Sequence, residues 1–170
     1  MSDAALPAGA DQAFETIVGG LDYPMFLVTT RAGDRLAGCL VGFASQTSID
    51  PPRFLVGLSK QNHTYRIALD APGLVVHVLA TDHLELAELF GGETGDEVDK
   101  FARCDWSDGP LGIPVLHDVA GWFSGRTLEH FDLGDHTAFL LEPGAGEVGH
   151  GLDRLVTFQD VRELEPGHDA

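Results

Sequence analysis

Apolar positions in this chain fall mostly in short runs bounded by Gly, Pro and Asp, and few stretches carry helical spacing. Residues 13–21 put Phe14, Ile17 and Val18 on one face of a short helix. Pro24 opens an apolar, β-prone run at 25–30. Arg31-Ala32-Gly33-Asp34 then supplies turn chemistry before a second run at 36–43, so the pair predicts a β-hairpin. A polar turn ending in Asp50-Pro51-Pro52 leads to a third strand at 54–58. Residues 64–69 have helical spacing, with Tyr65, Ala68 and Leu69 on one side, and Ala71-Pro72-Gly73 ends them. Leu-Val-Val-His-Val-Leu at 74–79 is the clearest strand. Thr81 or Asp82 can cap the next helix, where Leu84, Leu86, Ala87, Leu89 and Phe90 make a broad apolar face stopped by Gly91-Gly92.

Downstream, 93–101 reads as an acidic surface segment with a short helix, and 105–114 as a long loop rich in Gly, Pro and Asp. Strand-like runs follow at 119–123, 126–133, 137–141 and 154–158. The spacing does not alternate as βαβ units do, so the pattern predicts a mainly β fold, a small antiparallel barrel with peripheral helices. Residues 1–12 read as a frayed lead-in, 13–162 as one domain, and 163–170 as a loose polar tail.

Composition changes that picture in one respect. Asp and Glu number 27 against 10 Lys and Arg, a formal charge of −17. Such a field repels DNA and RNA, which excludes nucleic acid as an expected partner. The two cysteines, Cys39 and Cys104, form no C-x-x-C pair, and no disulfide framework or zinc motif follows. The N-terminus lacks the features of a signal peptide, and no apolar run is long enough to span a bilayer. A soluble, cytoplasmic protein is therefore expected.

Candidate chemistry concentrates between Gly38 and Thr64, where hydroxyls, backbone donors and a cation gather at the ends of two apolar strands. Lys60 is one of only two lysines, and its neighbours Ser59, Asn62 and Thr64 are all polar. This loop reads either as an anion site or as an ordinary solvated turn. Gly144-Ala-Gly146-Glu-Val-Gly149 matches G-x-G-x-x-G, but the β-like residues that follow leave no room for a Rossmann unit, so it reads as a flexible inter-strand loop. Eight histidines show no metal-binding spacing, and His130 and His136 with the intervening carboxylates lack evident further ligands. Ser45 or Ser48 could complete a triad only on paper, without a nucleophile elbow. Gly134-Asp135-His136 begins a strand after a turn. It would set His136 at a barrel rim, as a pocket donor or as a solvated turn residue.

The ordered set of these features resembles the flavin reductase-like family of FMN-binding split barrels, from about residue 23 to 158. The features are Pro24, Gly38, S-x-x-S-I-D-P-P at 45–52, S-K-x-N-x-T at 59–64, and the 74–79 strand with its helix. Lys100-Phe101, Pro114 and Gly134-Asp135-His136 complete the order. The resemblance implies a homodimeric, six-stranded Greek-key split barrel with FMN or FAD near the subunit interface. It assigns Gly42, Phe43, Ala44, Ser45, Gln46, Thr47 and Ser48 to the isoalloxazine and ribityl chain. Ser59, Lys60, Asn62 and Thr64 are assigned to the phosphate, and His136 to the flavin or nicotinamide. The chain departs from the family where many members carry Asn-Ser and it carries Gly42-Phe43, and where Gln46 replaces a frequent Ser.

The implied activity is NADH- or NADPH-dependent reduction of flavin, with reduced flavin handed to a partner monooxygenase or another acceptor. The hydride chemistry belongs to the cofactor, and the protein orients it and excludes water. Two alternatives stay open: a flavin-, deazaflavin- or heme-binding module without turnover, and a reductase of another small molecule through bound FMN.

Overall fold

A computed structural model describes residues 9–167. Helix α1 (Ala10–Gly19) leads into β1 (Phe26–Ala32), β2 (Arg35–Val41), β3 (Ala44–Ser48) and β4 (Arg53–Ser59). Helix α2 (His63–Ala68), β5 (Gly73–Val78) and α3 (Leu84–Gly92) follow. After them come β6 (Trp106–Asp108), β7 (Pro114–Leu116), β8 (Gly121–Asp132), β9 (His136–Val148) and α4 (Phe158–Val161). Seven strands pair in the order β2-β1-β5-β8-β9-β4-β3, all antiparallel, while β6 and β7 form a separate ribbon.

The hairpin β1–β2 closes over Gly33-Asp34, with Gly33 in the left-handed region at φ 63°. The two marginal strands, β2 and β3, are consecutive in the chain, and only Gly42 and Phe43 separate them. The Gly57 N–H donates to the Phe43 carbonyl at 2.7 Å, tying that joint to β4. The sheet therefore curls until its margins meet, and β2 lies against β4. Inside are Val28, Cys39, Val41, Val56, Leu58, Leu74, Val76, Phe139 and Leu141. Outside, Leu27, Leu79, Ala87, Phe90, Leu116 and Val156 form a second cluster under α3. Because β5 is covered on both faces, it reads as a continuous apolar run.

Several expectations need correction. The mainly β antiparallel architecture stands; the main sheet has seven strands where the resemblance implied six, and the polar stretch before Asp50, expected as a turn, contains the marginal strand β3. The runs at 119–123 and 126–133 are one strand, β8, bulged between Phe123 and Gly125 and between Thr127 and Glu129. Gly144 and Gly146 are not in a loop: they sit inside β9, whose backbone passes so close to β8 that a Cβ on Gly146 would fall 2.6 Å from the Trp122 carbonyl oxygen. The 105–114 segment is not one long loop either. It contains β6, a 3-10 turn and the start of β7, and Ile113 with Val115 covers Val75 of β5. The run at 154–158 makes only isolated bridges, Ala80 with Leu155 and Pro24 with Thr157, before α4 begins. The first helix starts earlier than expected, at Ala10. Of the lead-in and tail, residues 1–8 and 168–170 lie outside the described residues. Among the described residues, no helix is long and apolar enough to cross a membrane.

Two buried ionisable groups hold layers together. Lys100 is only 5% exposed, and its ammonium donates to the carbonyls of Gly38 and Phe90 at 3.1 Å each, while burial lowers its pKa. His77 is fully buried between the sheet and the ribbon. The Leu116 N–H donates to Nε2 at 3.0 Å, so Nδ1 carries the proton and donates to the Leu27 carbonyl at 2.9 Å. Burial pushes the His77 pKa down from 6.5 to about 4.

The unfolded chain therefore binds a proton at this position between pH 6.5 and about 4 that the folded chain refuses. Stability is full above that window and falls as pH drops through it, by about 3 kcal/mol in total for this group. Urea denaturation of the wild type across this range should show the decline. His77→Gln should be weaker at neutral pH yet lose much less on acidification; an equal acid loss in the variant would remove His77 as its cause.

Candidate functional site

A cavity of about 410 Å³ opens beside the β2–β3 joint. That volume lies in the usual range for small-molecule sites, about 300–1,000 Å³. Its wall at the joint is Gly42, Phe43 and Gly57, and its floor includes Cys39, Val41 and Leu58 from the barrel. Backbone is bare there for a packing reason: a Cβ on Gly42 would sit 2.8 Å from the Tyr23 ring and 3.2 Å from the Met25 sulfur. The remaining wall comes from Gly91 at the end of α3 and from 158–166, with Phe158 stacked on Tyr23 at 5.1 Å between ring centroids.

Polar groups enter from one side. The register of β4 with β9 sets Ser59 opposite His136, and both line the cavity with Asn62. The chain turns after Ser59, where the Asn62 N–H donates to the Ser59 carbonyl at 3.0 Å. The Asn62 side-chain oxygen then accepts from the Thr64 N–H at 2.8 Å and caps α2. His136 lies 2.7 Å from Asp135 through Nδ1, and its ring packs 4.8 Å from that of Phe43, tilted by 56°. The Asp135 carboxyl is held below its ordinary range by the His136 hydrogen bond. An ionised carboxylate only accepts, so Nδ1 carries the proton and Nε2 is left for other partners.

The structure divides the residues singled out in the sequence. Gly42, Phe43, Ser59, Asn62 and His136 meet at the cavity. Ala44, Ser45, Gln46, Thr47 and Ser48 run along β3, mostly exposed, beside the mouth rather than in its lining. Lys60 also lies outside the lining. Its ammonium bonds Asp132 at 2.9 Å, and its backbone N–H donates to the Asp135 carbonyl at 2.9 Å. Thr64 is buried, with its hydroxyl turned toward the Cys39 thiol. That thiol is pushed up to about 11 by burial, so Cys39 meets the cavity as an inert apolar group rather than a nucleophile.

Sequence reasoning passed over Tyr23, Met25, Gly57, Gly91 and the whole 158–166 wall. The expected loose tail from Glu163 instead packs Leu164 over Gly91 and Gly92. The spacing of Phe158, Val161 and Leu164 was the one available signal, and polar neighbours obscured it. Among the described residues, no group of three or more His, Cys, Asp or Glu is placed to hold a metal ion.

An apolar, glycine-walled cavity with an imidazole, a hydroxyl and an amide on one side suits a flat aromatic ligand with a polar tail. FMN reductase (NADH) RutF of Variovorax paradoxus is 30% identical over 163 residues, covering 92% of this chain and 89% of that protein. The 4-hydroxyphenylacetate 3-monooxygenase reductase component of Pseudomonas aeruginosa is 28% identical, over 86% and 87% of the two chains. High molecular weight rubredoxin of Moorella thermoacetica is 32% identical over 71% of this chain, which spans only 53% of that longer protein. Among solved structures, the NADH:FAD oxidoreductase SgcE6 of Streptomyces globisporus superposes with a TM-score of 0.74 at 23% identity, over 86% and 88% of the chains. Residues 18–164, nearly the whole described chain, match the model of the flavin reductase like domain, and the chain belongs to that family.

Proposed function

We propose that this protein is an NAD(P)H-dependent flavin reductase that binds FMN, or FAD, in the cavity at the β2–β3 joint and passes reduced flavin to a flavin-dependent monooxygenase or another acceptor. The observation that carries the reading is an apolar cavity walled at the joint by Gly42, Phe43 and Gly57, with His136, Ser59 and Asn62 entering from one side. The flavin supplies the hydride-accepting chemistry when bound. The protein's part is to hold, orient and shield. Gly42, Phe43 and Gly57 wall the ring's place at the joint, Phe43 offers it an aromatic face, and the apolar floor keeps water out. Ser59 and Asn62 offer hydrogen bonds to the polar tail, and the ammonium of Lys60, steadied by Asp132, lies beside that loop. His136, oriented by Asp135, would seat the nicotinamide.

A homodimer in the cytoplasm fits the same reading. Phe43 and Ile49, at the two ends of β3, are 56% and 84% exposed, and Leu133 on the β8–β9 turn is 56% exposed. A second copy would cover this marginal strand and its apolar flanks, with residues 44–48 then facing the bound flavin.

Purified protein should oxidise NADH or NADPH at a rate that rises when FMN or FAD is added; no oxidation with either nucleotide would overturn the reading. Light scattering should give twice the 18.2 kDa of one chain, and a monomer with flavin bound would overturn the dimer. Lys60→Ala should weaken FMN binding by about tenfold or less, since Lys60 already shares its charge with Asp132. Unchanged affinity would take Lys60 out of the phosphate site.

A further inference from the structure

The cations of this chain are few, and nearly all are already engaged. Of the ten Lys and Arg side chains, eight lie within 4.0 Å of a carboxylate. Lys100 is buried on two backbone carbonyls. Arg162 is the exception. Among the described residues its guanidinium has no carboxylate partner and reaches only the Gln159 side-chain oxygen, at 3.4 Å. It is also the one lysine or arginine among the cavity-lining residues.

Its position is built. Arg162 follows α4 in a strap pinned on both sides. Before it, Phe158 stacks on Tyr23 and donates its N–H to the Tyr23 carbonyl at 2.8 Å, and the Gln159 N–H donates to Asp22 at 3.1 Å. After it, Leu164 packs over Gly91 and Gly92, and the Gly167 N–H donates to the Gly91 carbonyl at 3.4 Å. The strap thus holds a guanidinium at an apolar cavity in a molecule of net charge −17. An anionic ligand approaching this protein meets repulsion nearly everywhere, and an unpaired fork of N–H donors at the cavity lowers that barrier locally.

We propose that Arg162 is a specificity-determining residue of the cavity, where its guanidinium binds a phosphoryl group of the nucleotide held there. The proposal rests on the flavin reductase reading above and goes beyond it by naming a cation outside the Ser59–Thr64 loop. Two sources share the chemistry, the FMN phosphate and the pyrophosphate of the nicotinamide nucleotide.

The test is equilibrium binding of FMN, of riboflavin (the same ring without phosphate) and of NADH to the wild type, Arg162→Ala and Arg162→Lys. Loss of a charge-assisted, two-pronged hydrogen bond should weaken a phosphorylated ligand about 10- to 100-fold. Riboflavin should bind Arg162→Ala as it binds the wild type, Arg162→Lys should be intermediate, and added salt should shrink the difference. Weakened FMN assigns the flavin phosphate, and weakened NADH with FMN unchanged assigns the nicotinamide nucleotide; either supports the proposal. Equal binding of both phosphorylated ligands by wild type and Arg162→Ala overturns it while leaving the flavin reductase reading intact. An equal loss of riboflavin also overturns it, since that marks a displaced strap. Wild-type protein that binds none of the three overturns both. The side chain is exposed and makes one weak contact, so thermal melting of the variants should match the wild type.

Discussion

The two-residue joint between β2 and β3 is the constraint on which the rest of this structure depends. Strands at opposite margins of a seven-stranded sheet cannot be neighbours in sequence unless the sheet curls. Gly42 and Phe43 make that connection, and the 2.7 Å hydrogen bond from Gly57 to the Phe43 carbonyl locks it to β4. Everything at the cavity follows from the lock. It holds Phe43 against the His136 ring, brings β4 and its Ser59 beside β9, and keeps bare backbone facing inward where Tyr23 and Met25 leave no room for a Cβ. A larger residue at position 42 would have to displace the Tyr23 ring, and with it the Phe158 stack that forms the opposite wall.

What could be read in the sequence was whatever local chemistry decides. The β1–β2 hairpin, the doubly covered run of β5, the apolar face of α3 and the Asn62 turn each carry their signal within a few residues. What could not be read depends on partners far along the chain. Glycines in β9 look like loop residues until β8 is present, because only then does the Gly146 backbone meet the Trp122 carbonyl. Gly125 is the same case seen from β8, with Leu141 filling the space its side chain would need. Lys100 looked like a surface residue in an acidic stretch, and it is buried because carbonyls of Gly38 and Phe90 converge from two elements to receive its ammonium. At the site, the loop 59–64 was visible as a polar cluster, but its division was not. Ser59 and Asn62 face the cavity, Lys60 turns to Asp132, and Thr64 turns to Cys39.

The charge distribution has a similar logic. Excess acid covers the surface, and most cations are spent in exposed pairs of small individual worth. Several carboxyls beside them, those of Asp96, Asp132 and Glu142 among them, sit below their ordinary range because an Arg or Lys donates to each. These pairs neutralise the chain's few positive charges where they stand. Anions are therefore attracted only where a cation is left over, which makes the placement of the remaining one informative in a way that a basic protein would not allow.

The two sides of the cavity are held by different physics. On the barrel side, the Asp132 carboxylate both receives Lys60 and accepts the Gly134 N–H at 2.9 Å, and the Lys60 N–H bonds the Asp135 carbonyl. The β8–β9 turn is thereby fastened to the β4–α2 loop through main chain and side chain together, so Ser59, Asn62 and His136 keep fixed relative positions. The strap side rests on the Phe158–Tyr23 stack, on Phe158 and Val161 packed against the cluster under α3, on Leu164 over Gly91 and Gly92, and on hydrogen bonds at its ends. The barrel side sets the geometry of whatever binds, and the strap, packed on Tyr23 and on the cluster under α3, carries Arg162 to the cavity.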